Sequence, residues 1–125
     1  MILAQVLRFG LIGVLATLVH MVVGAGLIHF GWAALVANVV AFGVAFVVSF
    51  SGHYVFSFAG HSATITGALR RFMVVALLGF MVNETILATL TIGGVMNATP
   101  ALLVSTSVAA AATFVLSRLW AFRGD

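Results

Sequence analysis

The sequence predicts an all-α integral membrane protein: four transmembrane helices formed by two parallel two-helix repeats. Three observations carry this reading. Four apolar stretches cover residues 9–29, 34–56, 72–92 and 101–122, and each is about 20 residues or longer, enough to cross the hydrocarbon core as a helix. The chain is 64% hydrophobic and only 6% charged, against about 25% charged for a soluble domain, which leaves no room for a water-soluble domain beside the spans. Every cation of the five, Arg8, Arg70, Arg71, Arg118 and Arg123, falls on one side of the four crossings, and there is no lysine.

Taken in order, the first span has no basic segment ahead of a short apolar core and no obvious cleavage site, so it reads as a retained helix and not a signal peptide. Gly13, Ala16, His20 and Gly24 lie on one helical stripe of it. The connector 30–33 contains no arginine, and Trp32 suits the membrane interface. On the second span Ala37, Ala41, Ala45 and Ser49 recur every four residues. Tyr54 near its end reads as an interface residue. The Ser/Gly-containing loop that follows, with a solvated His61, leads to Arg70 and Arg71. The third span carries Asn83 and Glu84. After the arginine-free connector 93–100, the fourth repeats the small-residue pattern with Ser105, Ala109, Thr113 and Ser117, and Trp120 is another interface residue. Small residues let backbones approach closely in lipid, where no hydrophobic force drives helices together. The positive-inside rule puts the arginine face in the cytoplasm. The expected location is the cytoplasmic (inner) membrane, with both termini cytoplasmic.

Several functions are excluded. The pI near 11.4 comes without a basic stripe, which argues against a nucleic-acid partner; the arginines sit at span ends, where they anchor to anionic membrane lipids. The chain has no cysteine and hence no disulfide or thiol chemistry. His20 and His29 are too far apart for a tight metal pair, and no acid cluster completes a site. No serine–histidine–acid spacing, phosphate loop or glycine fingerprint appears. The sequence therefore predicts no enzyme, no cofactor and no metal.

The chain repeats itself. Arg8-Phe9 and Arg71-Phe72 open the halves at an offset of 63. At the same offset Gly13 matches Ala76, Ala16 matches Gly79 and His20 matches Asn83. Tyr54-Val55-Phe56 matches Trp120-Ala121-Phe122 at offset 66, and the three extra residues are expected in the connector 93–100. The domain reading is a single four-helix transmembrane domain over 1–125, with one repeat at about 8–58 and the other at about 70–123. Both halves enter from the same face, so the repeat is parallel and not inverted.

The Arg-Phe start of each half, the polar pair His20 and Asn83, and the aromatic ends of spans two and four resemble the GtrA-like family of small four-span membrane proteins. Members end each half with a signature like Phe-x-x-Asn-Arg-x-Trp-Val-Phe. The second half reads Phe114-Val115-Leu116-Ser117-Arg118-Leu119-Trp120-Ala121-Phe122, with Ser117 where asparagine is usual. The first reads Phe50-Ser51-Gly52-His53-Tyr54-Val55-Phe56, with Gly52 where arginine is usual, so Arg118 is the only arginine of the signature. The resemblance implies a flippase for polyprenyl-phosphate-linked sugars, used in cell-surface polysaccharide synthesis or modification.

Such a cargo asks for a cation at the phosphate, polar groups for the sugar at depth, and an open apolar side for the tail. Arg118, about one turn inside the arginine-bearing end of span four, is the candidate for the phosphate, because a guanidinium holds it bidentately; snorkelling to headgroups is the alternative. Glu84 is the only acid besides Asp125 and lies 13 residues past Arg71, about 20 Å along a helix. His20, Asn38 and Asn83 fall at similar depth, so these four are the expected polar cluster, binding sugar hydroxyls or acting as interhelical glue. One copy offers little wall around a lipid, so a homo-oligomer is expected, with a polyprenyl-phosphate glycosyltransferase as a further partner. Two alternatives remain. A small proton-coupled multidrug exporter carries its glutamate in the first span, where this chain has His20 and no acid. A non-transporting membrane anchor for a glycosyltransferase depends on the small-residue stripes and not on Arg118 or Glu84.

Overall fold

The computed structural model describes residues 2–52 and 63–121. They form α1 (Ile2–His29), α2 (Ala34–Gly52), α3 (Ala63–Ile92) and α4 (Ala98–Leu116), and α4 runs on into a π-helical turn over Ser117–Ala121. All four helices are long and apolar enough to cross a membrane, and the protein is an all-α membrane protein. Most of each span faces outward: Leu11, Leu18 and Val22 of α1, Val47 of α2, Leu77 and Met81 of α3 and Val115 of α4 are exposed. That apolar exterior suits hydrocarbon and not water.

The hairpins close in the same way. Gly31 (φ 95°) and Gly94 (φ 72°) are the only described residues at positive φ, and they stand 63 residues apart. After each, a backbone N–H reaches back five residues, Trp32 to the Leu27 carbonyl at 3.0 Å and Val95 to the Leu90 carbonyl at 3.0 Å. Each glycine itself donates three residues back, to Ile28 and to Thr91. This is the Schellman ending, which needs a left-handed residue and therefore favours glycine.

Three boundaries differ from the sequence reading, the first being that of α1, which begins at Ile2 and not at residue 9. α3 begins at Ala63, so residues 63–71, assigned to a loop, are helical; Ala68, Leu69 and the arginines are good helix formers and extend the span into the interface. α4 begins at Ala98 and not at 101, because Pro100 sits in the first turn, where its missing N–H costs nothing. The connector absorbs only one of the three extra residues: α2 starts three residues after Gly31 and α4 four after Gly94. The π-helical turn at Ser117–Ala121 takes one more residue per turn than an α-helix and is a place where further residues are accommodated. Residues 53–56, His61 and Arg123 lie outside the described residues.

The helices pack as a ring, α1 on α2, α2 on α3, α3 on α4 and α4 on α1, with α2 and α4 meeting across the centre. Among the described residues α1 and α3 do not approach one another. The small-residue stripes form the core: Ala37, Ala41, Ala45 and Ser49 from α2, and Ala101, Ser105 and Ala109 from α4, are all buried. Thr113 is half-buried. α1 contributes Ala16, His20 and Gly24, and α3 contributes Phe72, Val75, Gly79, Asn83 and Leu87. Gly24 lets α4 come close: a Cβ there would lie 2.7 Å from Leu102 Cδ1.

Candidate functional site

Four of the five residues singled out from sequence come together. His20 Nε2 is 2.7 Å from Asn38 Oδ1. Asn38 Nδ2 donates to Asn83 Oδ1 at 3.3 Å and to Glu84 Oε1 at 3.0 Å. Asn83 Nδ2 then donates to Thr106 Oγ1 at 3.3 Å. One network thus ties all four helices, and Asn38, fully buried, is its centre. The directions are fixed by chemistry. A carboxamide oxygen only accepts, so His20 must donate from Nε2, and in the neutral ring Nδ1 is then the acceptor. The two protons of the Asn38 amide serve two acceptors on α3. Through this one side chain α1 and α3 are joined although their backbones stay apart.

A cleft of about 540 Å³ runs beside the network. Its wall begins at Gly10, Ser49, Phe72 and Phe114, toward the arginine-bearing end, and its deep end is formed by His20, Asn83 and Thr106. Most of the rest is apolar, with Phe42, Phe46 and Phe80 on one side. Phe42 and Phe80 lie 4.5 Å apart between centroids and link α2 to α3, and Phe42, Phe46 and Phe50 follow one another down α2 at 6.0 and 6.3 Å. Val14, Leu18 and Phe114 line the cleft and are also exposed at the bundle surface, so the cleft has a flank toward lipid between α1 and α4. Beyond the network, toward the arginine-free end, the bundle is closed by Leu87, Ala101 and Leu102, with Ile28, Leu35 and Leu90 packed against them.

Asn38 and Glu84 do not line the cleft. Of the predicted cluster, only His20 and Asn83 face it, and Glu84 reaches it through Asn38. Thr106, which the sequence did not single out and which lies one residue past Ser105 of the small-residue stripe, completes the wall from α4. The Phe42–Phe46–Phe50 ladder was also passed over, although its spacing of four was legible. Arg118 stands apart, on the π-helical turn, 12 residues beyond Thr106 and so about 18 Å along the helix. Beside it Ser117 is fully buried, and its Oγ has no hydrogen-bond partner. No group of three metal-ligating side chains occurs among the described residues.

Fold and site together define a multi-pass membrane protein whose four helices enclose an apolar cleft with a polar deep end. Residues 8–122 match the family model "GtrA/DPMS, transmembrane domain", and the chain belongs to that family. No curated protein and no solved structure matches it.

Proposed function

We propose that this chain translocates a polyprenyl-phosphate-linked sugar across the cytoplasmic membrane for cell-surface polysaccharide synthesis or modification. The observation that carries this reading is the cleft: apolar for most of its length, flanked toward lipid between α1 and α4, and ended by His20, Asn83 and Thr106. An isoprenoid tail stays in the bilayer at the open flank while the head group enters. Three groups able to donate or accept meet sugar hydroxyls at depth, and the phenylalanine wall offers ring faces to the sugar's apolar side.

The positive-inside rule orients the cleft. All arginines share one end, so that end is cytoplasmic and the cleft receives cargo from the leaflet where sugar lipids are made. Arg118 is the candidate for first contact with the phosphate. Its place on the π-helical turn is about 18 Å from Thr106 along the helix axis, far more than a monosaccharide phosphate spans. Arg118 and the polar cluster are therefore stations visited in turn, not one simultaneous site.

The test uses proteoliposomes containing a short-chain polyprenyl-phosphate hexose whose exposure is read with a non-permeant oxidant. Wild type should equilibrate the sugar lipid between leaflets, while Asn83→Ala and Thr106→Val at matched protein levels should slow it at least several-fold. Exchange no faster than in protein-free vesicles would remove the translocation reading and favour the non-transporting anchor. Wild-type exchange in both variants would move the sugar path out of this cleft.

A further inference from the structure

The Glu84 side chain accepts from the Asn38 amide at 3.0 Å. It lies eight residues before the end of α3 at Ile92, about 12 Å along the helix. It is part-exposed and off the cleft wall. Charge is otherwise remote. α2 and α4 hold no titratable side chain at all, and they face Glu84 with Asn38 and, through Asn83, with Thr106. On α1 the titratable groups are His20, joined through Asn38, the exposed His29 nine residues further on, and Arg8 twelve residues before it. On α3 itself Arg70 and Arg71 are 14 and 13 residues away.

We propose that Glu84 is a proton-binding site on the arginine-free side of the bundle, and that Asn38 relays its occupancy to His20 by turning its amide over. The geometry allows two self-consistent states. The first keeps the hydrogen bonds of the structure, with Glu84 as a carboxylate: Asn38 Nδ2 donates to it, Asn38 Oδ1 faces His20, and Nε2 carries the proton. His20 then offers a bare Nδ1, an acceptor.

When Glu84 takes a proton from the arginine-free side, its O–H becomes a donor. Asn38 turns so that Oδ1 accepts from Glu84 and Nδ2 points at His20. Nε2 must then accept, so it gives up its proton to cleft water and Nδ1 gains one from the same water. His20 is neutral in both states, and the net uptake is one proton, on Glu84. Asn83 turns with its neighbour, so that Nδ2 serves Asn38 Oδ1 and Oδ1 accepts from the Thr106 hydroxyl.

The change reaches the cargo through the His20 ring, which lines the cleft. A sugar hydroxyl satisfies either state by rotating. A phosphate oxygen only accepts: it is bound by Nδ1–H and repelled by a bare Nδ1. On the translocation reading above, proton entry at Glu84 thus licenses the phosphate to reach the deep end, and proton loss expels it.

The experiment needs no sugar lipid, so its result is independent of whether the chain moves one. Full-length protein in lipid nanodiscs is labelled with ¹⁵N-histidine, and the His20 signal is assigned by its loss in His20→Gln. Its tautomer is followed with pH alongside the carboxylic-acid carbonyl band in difference infrared spectra. The expected result is a switch of His20 from Nε2–H to Nδ1–H over the same pH interval in which a Glu84 acid band appears as pH falls. Glu84→Gln should lose the band and hold His20 in one tautomer throughout. Asn38→Leu should keep the band and lose the switch; if that variant does not fold, Glu84→Gln decides alone. The proposal is overturned if wild-type His20 keeps one tautomer through the Glu84 titration, if it charges to imidazolium there instead, or if the switch survives in Glu84→Gln.

Discussion

Replacing Asn38 by leucine removes the side chain that joins α1 to α3. Leucine is close in volume, so the site stays filled, and the loss is chiefly polar. Three interhelical hydrogen bonds disappear, to His20, Asn83 and Glu84. Measured interhelical bonds in membranes average about 0.6 kcal/mol and reach about 1.7, so the three come to about 2 kcal/mol on average and about 5 at the strong end. The expected cost is therefore about 3 kcal/mol, most of it absent from a double-mutant cycle only if the partners rearrange. Reversible unfolding in bicelles measures it, with His20→Ala as the second arm. A cost below about 0.5 kcal/mol, or no coupling between positions 20 and 38, would refute the view that this network holds α1 to α3.

Tags at either terminus and within residues 57–62 should report the cytoplasm and a tag at Asn97 the outside; termini found outside would reverse the proposed direction of the cleft. Arg118→Lys should keep part of the translocation activity and Arg118→Ala lose most of it at normal membrane levels, since lysine keeps the charge but not the fork; full activity of the alanine variant would leave Arg118 as a headgroup anchor. Gly24→Ile should destabilise by about 1–3 kcal/mol by overpacking against Leu102, and Leu102→Ala should relieve part of it; additive effects would contradict the close approach of α1 and α4. Ser117→Ala should be neutral or stabilising by about 1 kcal/mol, because the hydroxyl it removes is buried without a partner, and a loss of stability there would mean that the hydroxyl is engaged.

The spans, the repeat and most of the polar cluster were legible because each rests on a local rule: twenty apolar residues, a fixed offset, or polar residues counted by depth along a helix. Four helices in a ring then bring His20, Asn38, Asn83 and Glu84 to one level. What depth does not give is azimuth. His20 and Asn83 face the cleft, whereas Glu84, one residue past Asn83, is turned about 100° around α3 and meets the cleft only through Asn38. Thr106 was invisible for the opposite reason: in the run Ser105-Thr106-Ser107 only packing decides which hydroxyl points inward. The early start of α4 was missed because Pro100 reads as a breaker, although in the first turn it is not one.

The repeat also shows why the polar centre holds one buried amide from α2 and none from the matching position of α4. α2 and α4 are both 19 residues long and begin 64 apart, so Ala37, Ala41 and Ala45 correspond to Ala101, Ser105 and Ala109, all buried. In that register Asn38 corresponds to Leu102, and both are fully buried. α1 and α3 correspond at 63, which pairs Gly24 with Leu87. A strict duplication would have placed two asparagines, or two leucines, at equivalent depths. Instead the first half supplies the amide that joins the network, and the second supplies Leu87 and Leu102, which close the arginine-free end. Gly24 is the compensation for this asymmetry, since the room it leaves is filled by Leu102. Two polar centres at one level would each need partners in a medium without water. With one amide and one leucine, every polar side chain of the centre has a hydrogen-bonded neighbour, and the seal beyond it stays apolar. The divergence of the halves, more than their likeness, makes a cleft that is polar at its depth and closed behind it.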